Sequence, residues 1–296
     1  MNLFKIIRKK ILRNNFKILL SELISSHFNK IKPNYLNFKV NKNCMLGKTG
    51  DELFLLFDNI ITPKVLLHGY WDVFVINFIK ENTKKNNNYY FVDIGSHIGL
   101  ITRQVANLNI KIKKFFCFEP LKLHFHLLKK NCSFIKKINF YNYAIGVKKD
   151  KKKIYTNKLN SGNSSLIKIN KSQYQYTLVL EANTVLKKII KTNYIKKNII
   201  YKSDVEGYDE MIFLSLEENI IKKIDIAILE ISNFKFLLKN LNTFMNKIKN
   251  FNLIKDDKGV KLNLKTLKNK LLLKNVLIFY CVKINKFWRR ERDSNP

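Results

Sequence analysis

An α/β fold with a doubly wound, mostly parallel, seven-stranded sheet is predicted by three features of this 296-residue sequence. From residue 86 onward, short apolar runs alternate with longer stretches of helical periodicity. One run, 91–94, enters a turn holding Gly95 and Gly99, and the next ends in Phe118-Glu119-Pro120. A polar stretch, 81–88, separates this pattern from a mixed region before it. The expected division is therefore 1–85 as an N-terminal helical and mixed extension, 86–284 as the sheet domain and 285–296 as an unstructured tail.

Taken in order, Leu3, Ile6, Ile7, Ile11, Leu19, Leu20 and Leu23 recur at helical intervals among Lys and Arg. They predict a basic amphipathic helix over about 1–30, which packs on the main domain or touches a membrane surface. Strands are expected at 89–94, 114–118 and 138–144, with helices at 100–108 and 121–131 between them. The polar stretch 160–165 reads as a loop, 175–180 as a strand and 183–191 as a helix. A strand at 199–203 leads to a helix at 208–221, with Asp209 and Glu210 in the first turn, where the helix dipole favours them. A strand at 224–230 and a helix at 242–250 follow. Segments 251–254 and 275–282 are expected to pair antiparallel and close the sheet edge. The last eight residues hold three of the six arginines and lack the Lys/Asn/Ile character of the rest.

At 46% apolar and 12% aromatic, the chain can bury a large core, which excludes wholesale disorder. The longest apolar run, 276–282, is a strand's length and far short of a membrane-spanning helix. No apolar stretch with a small-residue cleavage site follows Met1, so a cytoplasmic protein is expected, peripheral at the inner face of the membrane if the N-terminal helix binds lipid. The net charge of +34 invites a polyanion partner. However, 50 of the 56 basic residues are Lys, scattered through every element, whereas phosphate recognition favours the bidentate Arg fork. That pattern reflects compositional bias and argues against specific nucleic-acid binding. The four cysteines are far apart, without a Cys-x-x-Cys pair, and His124 and His126 have no partners at ligand spacing. No metal is expected.

Chemistry concentrates in three segments. Asp93 ends an apolar strand, and Gly95 and Gly99 follow in a turn that opens a helix, where free N–H groups gather. The spacing D-x-G-x-x-x-G lacks the G-x-G-x-x-G of a pyrophosphate cradle, which suits a ligand with a cationic or zwitterionic end, such as S-adenosyl-L-methionine. Glu119 lies twenty residues beyond Gly99, at the end of the second strand, where such folds place the acceptor for ribose hydroxyls. The run Lys202-Ser203-Asp204-Val205-Glu206-Gly207-Tyr208 leaves the next strand at the same rim, and Glu230 ends the one after. Carboxylates here can take a proton from a substrate hydroxyl or cap the following helix.

Together with Ala144-Ile145-Gly146, these segments resemble the FkbM family of S-adenosylmethionine-dependent methyltransferases, within the class I Rossmann-like methyltransferase fold. The resemblance runs from about residue 90 to 230. It implies methyl transfer to a hydroxyl of a sugar, glycan or small metabolite. By it, Asp93, Gly95, Ser96 and Gly99 would hold the methionine end, Glu119 the ribose, and Asn142 and Ala144 the adenine. Asp204, Lys202, Glu206 and Glu230 would line the acceptor side, with Asp204 as base. Ser96-His97 stands where the family often has Ala-Asn, and Asp209 stands for a common Glu. Two further readings stay open: a nucleic-acid methyltransferase, although no Pro-Pro-aromatic follows Asp204, and a non-catalytic module that binds the cofactor. Metal assistance through Asp204 and Glu230 is a variant of the first reading.

Overall fold

The structure, a computed structural model, describes residues 35–40, 42–156, 161–162, 164–166, 173–256, 258–272 and 278–283. The helix expected over 1–30, with its membrane contact, and the tail at 285–296 lie outside the described residues.

The described chain begins with β1 (Tyr35–Lys39) and β2 (Glu52–Leu56), then α1 (Ile61–His68) and α2 (Val73–Asn82). Next come β3 (Asn88–Ile94), α3 (Leu100–Ala106), β4 (Lys111–Phe118), α4 (Lys122–Asn131) and β5 (Ile138–Tyr141). β6 (Ala144–Gly146), β7 (Asp150–Thr156) and β8 (Gln173–Glu181) form a separate small sheet. Alternation resumes with α5 (Ala182–Thr192), β9 (Ile199–Ser203), α6 (Asp209–Ser215), α7 (Glu218–Ile221) and β10 (Ile224–Glu230). α8 (Phe234–Lys239) and α9 (Leu241–Ile248) lead to β11 (Leu253–Asp256), β12 (Lys261–Leu262), α10 (Leu264–Leu272) and β13 (Ile278–Val282).

The central sheet has the order β12-β11-β13-β10-β9-β3-β4-β5. From β10 to β5 all neighbours are parallel, while β13 runs antiparallel to both β10 and β11. The α/β expectation therefore stands, with eight strands in place of seven, because the short β12 pairs onto the edge through Lys261 and Leu262. The expected closing pair forms with Leu253 opposite Val282.

Alternation along the buried strands explains why helices cover both faces. Val92, Phe116 and Tyr201 point into one apolar cluster with α5, α6 and α9. Phe91, Phe115 and Ile200 point into another with α2, α3 and α4. The sequence pattern misplaces two boundaries. The strand expected at 138–144 divides at Asn142, whose amide donates to the carbonyls of Glu119 (2.9 Å) and Pro120 (3.1 Å), so that residues 144–146 join the small sheet. The helix expected at 208–221 breaks at Leu216, which is extended (ψ 135), and the Asn183 side-chain Oδ1 accepts from the Glu217 N–H at 2.9 Å.

Asn131, fully buried on α4, joins the N-terminal strands to the sheet layer. Its side chain accepts from the Phe54 N–H and donates to the carbonyls of Phe54 and Ile98, each at 2.8 Å. Beside it, buried Arg103 donates to the carbonyls of Glu52 (2.9 Å) and Asn131 (2.8 Å). Asn131→Ala strands three buried backbone groups and is expected to lower stability by about 2–4 kcal/mol. The urea midpoint measures this, falling at an unchanged slope.

Candidate functional site

β3 lies between β4 and β9, so successive crossovers leave it in opposite directions. Open α/β sheets place ligands at such a switch point, beyond the carboxyl ends of the strands. A cleft of about 240 Å³ opens there, lined by residues that include Gly95, Ser96 and His97 after β3, Glu119 after β4, and Lys202, Asp204 and Glu206 at the end of β9. Trp71, Asp72, Tyr143, Ala144, Ile154 and Glu230 also line it.

The turn after β3 requires glycine. Gly95 has φ +77, and a Cβ there would lie 2.0 Å from the Asp204 carbonyl oxygen. The turn therefore packs backbone to backbone against the exit of β9. Gly99, φ +84, would drive a Cβ to 2.7 Å from Leu128 Cδ1, so this glycine serves helix packing. Non-glycine residues with left-handed backbone also gather here. Of Asp72, His97, Tyr194, Asn198 and Glu206, three line the cleft. Strain of this kind clusters at functional sites.

Lys202 is buried at the end of β9. Its Nζ stands 3.1 Å from Asp93 Oδ1 and 3.5 Å from Asp204 Oδ2, and donates to the Gly95 carbonyl at 3.0 Å. Thr102 of α3 donates to the other Asp93 oxygen at 2.6 Å. Burial alone would pull the ammonium's pKa down; the carboxylates of Asp93 and Asp204 outweigh it and hold Lys202 above its usual range.

Glu119 is fixed by two backbone donors: His97 N–H reaches Oε2 at 3.0 Å and Leu121 N–H reaches Oε1 at 2.8 Å. Burial nevertheless pushes its pKa up to about 7. His124, 3.8 Å from the same carboxylate, is drawn down to about 3 by burial. The His97 ring meets His124 edge-on at 4.4 Å and is held well below its usual value by burial, then by His124 and Lys202. His97 Nε2 is buried with no hydrogen-bond partner among the described residues.

Opposite lies an acidic group. Asp204, Glu206 and Glu230 each bring one oxygen to within 4.8 Å of the others, a spacing that suits either a shared proton or a hard divalent cation. Burial and then Asp204 raise Glu206 to about 7. Burial, followed by Asp204 and Glu206, raises Glu230 to about 10, and its carboxyl bonds to Asp204. Behind them Asp209 accepts from Ser203 Oγ (2.5 Å) and Val205 N–H (3.1 Å), and burial lifts it to about 8.

Of the residues singled out from sequence, Gly95, Ser96, Glu119, Ala144, Lys202, Asp204, Glu206 and Glu230 line the cleft. Asp93, Gly99 and Asn142 stand behind it: Asp93 acts through Lys202, Gly99 packs on α4, and Asn142 staples the Glu119-Pro120 backbone. The wall formed by Trp71, Asp72, Ser161 and Ser164 escaped the sequence reading, because those residues lie outside the strand-end motifs. The only local signal was Asp72 preceding an apolar run, where it caps α2.

No family model matches the chain, and no curated protein does. Among solved structures it is similar to the methyltransferase FkbM from Methylobacillus flagellatus KT, at 10% identity and a TM-score of 0.41, over 70% of this chain. This chain spans 50% of that protein's length. It is also similar to a candidate rRNA-methylase from Clostridium thermocellum, at 11% identity and a TM-score of 0.40, over 72% of this chain and 95% of that one.

A carboxyl whose folded pKa exceeds its usual value of 4.5 binds its proton more tightly in the folded state, so Glu230 opposes folding increasingly as pH rises from 4.5 towards about 10. Glu230→Gln keeps a donor for Asp204 and removes this penalty. Melting curves should show it about 1–3 kcal/mol more stable than the parent at pH 8, with the gain vanishing by about pH 4.5. A gain independent of pH contradicts the assignment.

Proposed function

We propose that this chain is an S-adenosyl-L-methionine-dependent methyltransferase acting on a hydroxyl of a sugar, glycan or small metabolite. The observation that carries the reading is the convergence, around one cleft at the sheet's switch point, of the Gly95 turn, the Glu119 carboxylate and the acids Asp204, Glu206 and Glu230.

The donor set suits this cofactor. Each Glu119 oxygen accepts one backbone N–H and keeps a second lone pair, so the carboxylate can receive a pair of vicinal hydroxyls. The orphaned His97 Nε2 offers one more polar contact inside the cleft. Phe118, Tyr143, Ala144 and Ile145 supply an apolar wall for a flat base. Ionisation of Glu119 and Glu206, both held near 7, adds negative charge that favours a ligand carrying positive charge. When bound, the cofactor supplies an electrophilic methyl group.

The remaining work falls to the chain. The cleft must hold the acceptor hydroxyl in line and exclude water. Asp204 is the base of choice: its side chain is 46% exposed and can meet an incoming hydroxyl, and Lys202 at 3.5 Å steadies its charge. Glu230, protonated near neutrality, keeps its hydrogen bond to Asp204 and so holds that carboxylate in place beside the acceptor.

The test is tritium transfer from methyl-labelled cofactor into fractionated extract, paired with calorimetry. Wild type transfers label. Asp204→Asn keeps cofactor affinity and loses about 10²–10⁴ in turnover. Glu119→Gln weakens cofactor binding by roughly tenfold. Cofactor binding without transfer to any fraction would leave a binding module, and turnover of Asp204→Asn at the wild-type rate would remove Asp204 from the chemistry.

A further inference from the structure

The small sheet has two unlike faces. Inward, Ile154 and Ala144 line the cleft, Gln175 Nε2 donates to the Pro120 carbonyl at 3.0 Å, and Lys152 meets the Tyr208 hydroxyl at 2.9 Å. Outward, the register sets Tyr155 opposite Tyr174, Lys153 opposite Tyr176 and Lys151 opposite Leu178. Tyr174, Tyr176 and Leu178 are 51%, 56% and 44% exposed, on a face that would ordinarily be buried or polar. The rings run continuously, with centroids 6.1 Å apart from Tyr155 to Tyr174 and 5.8 Å from Tyr174 to Tyr176. Lys153 Nζ lies 4.1 Å from the Tyr174 ring centre and Lys151 Nζ 5.5 Å from that of Tyr176. Lys148 and Lys149 add exposed positive charge in the turn that enters β7.

We propose that this outer face of β7 and β8 docks an unpaired nucleic-acid strand. Scattered lysine is a property of the whole chain, but three tyrosines and two lysines on facing rungs of one sheet face are a placement, which composition does not produce. Same-face neighbours along a strand stand about 6.8 Å apart, so β8 presents successive rings, and β7 beside it successive ammonium groups, at the scale of single nucleotides. Stacked bases find π surfaces and the phosphates find cations, the combination that holds single strands without reading their sequence. A neutral glycan would use the rings and leave the ammonium groups idle; a purely anionic polymer would do the reverse. The site is one sheet thickness from the cleft and does not depend on the cleft's chemistry.

Fluorescence anisotropy with a labelled uridine 20-mer tests this on the full-length protein, with circular dichroism confirming that each variant is folded. Contact with three or four phosphates predicts a log–log salt slope of about −2 to −3. Because lysines elsewhere can add charge-driven binding, the decisive readout is the tyrosine pair. Tyr174→Ala/Tyr176→Ala should weaken binding roughly tenfold or more at an unchanged salt slope. Lys151→Gln/Lys153→Gln should flatten the slope by about 1.4. Wild-type affinity in the tyrosine variant overturns the proposal. So does competition by heparin that is equally sensitive to the tyrosine pair, which would assign the face to anionic glycans, or binding of a neutral oligosaccharide with none of the 20-mer.

Discussion

One buried cation organises the site. The Lys202 ammonium touches the Asp93 carboxylate, the Gly95 carbonyl and the Asp204 carboxylate, and so fastens the carboxyl ends of β3 and β9 to each other. Thr102 extends the contact to α3 through the second Asp93 oxygen. Such an assembly contributes little net stability, since desolvation offsets most of the Coulomb attraction. Its effect is positional. With the ammonium in place, the turn at Gly95 lies directly on the Asp204 carbonyl, and the rim residues that follow each strand face one cavity.

A single ammonium cannot compensate the carboxyls packed around it. Glu119, Glu206, Asp209 and Glu230 all hold their protons above the ordinary range, chiefly through burial and, for the last three, through Asp204 nearby. The cleft is thus lined by carboxyls in a chain of net charge +34. Those that keep their protons offer hydrogen-bond donors, and Glu119 and Glu206, both held near 7, add negative charge as they ionise. The exterior lysines, by contrast, favour anions.

The main sheet was legible because β3, β4, β9 and β10 are built on short apolar runs that are almost wholly buried, and the residues that end them fall at the rim by topology alone. β7 was not legible, since only Ile154 of its seven residues is buried and its lysines read as solvent-facing. The split of residues 138–144 was hidden too: Asn142 looks like a ligand contact in sequence, yet it is consumed by the two carbonyls it holds. Asp93 and Gly99 lie behind the cleft for a tertiary reason. They fix the turn from behind, so a motif can mark a site without touching its contents. Lys202, named from sequence for the acceptor side, is the lone charge inside the buried strand 199–203, where an isolated ammonium demands a carboxylate; that requirement points to Asp93.

The most direct measurement is a crystal structure of the chain soaked in S-adenosylhomocysteine. The account predicts density across the ends of β3, β4 and β9, with the ribose diol on Glu119, the base against Tyr143 and Ala144, and the sulfur facing Asp204. An empty cleft at saturating ligand, or a nucleoside bound away from Glu119, would contradict it.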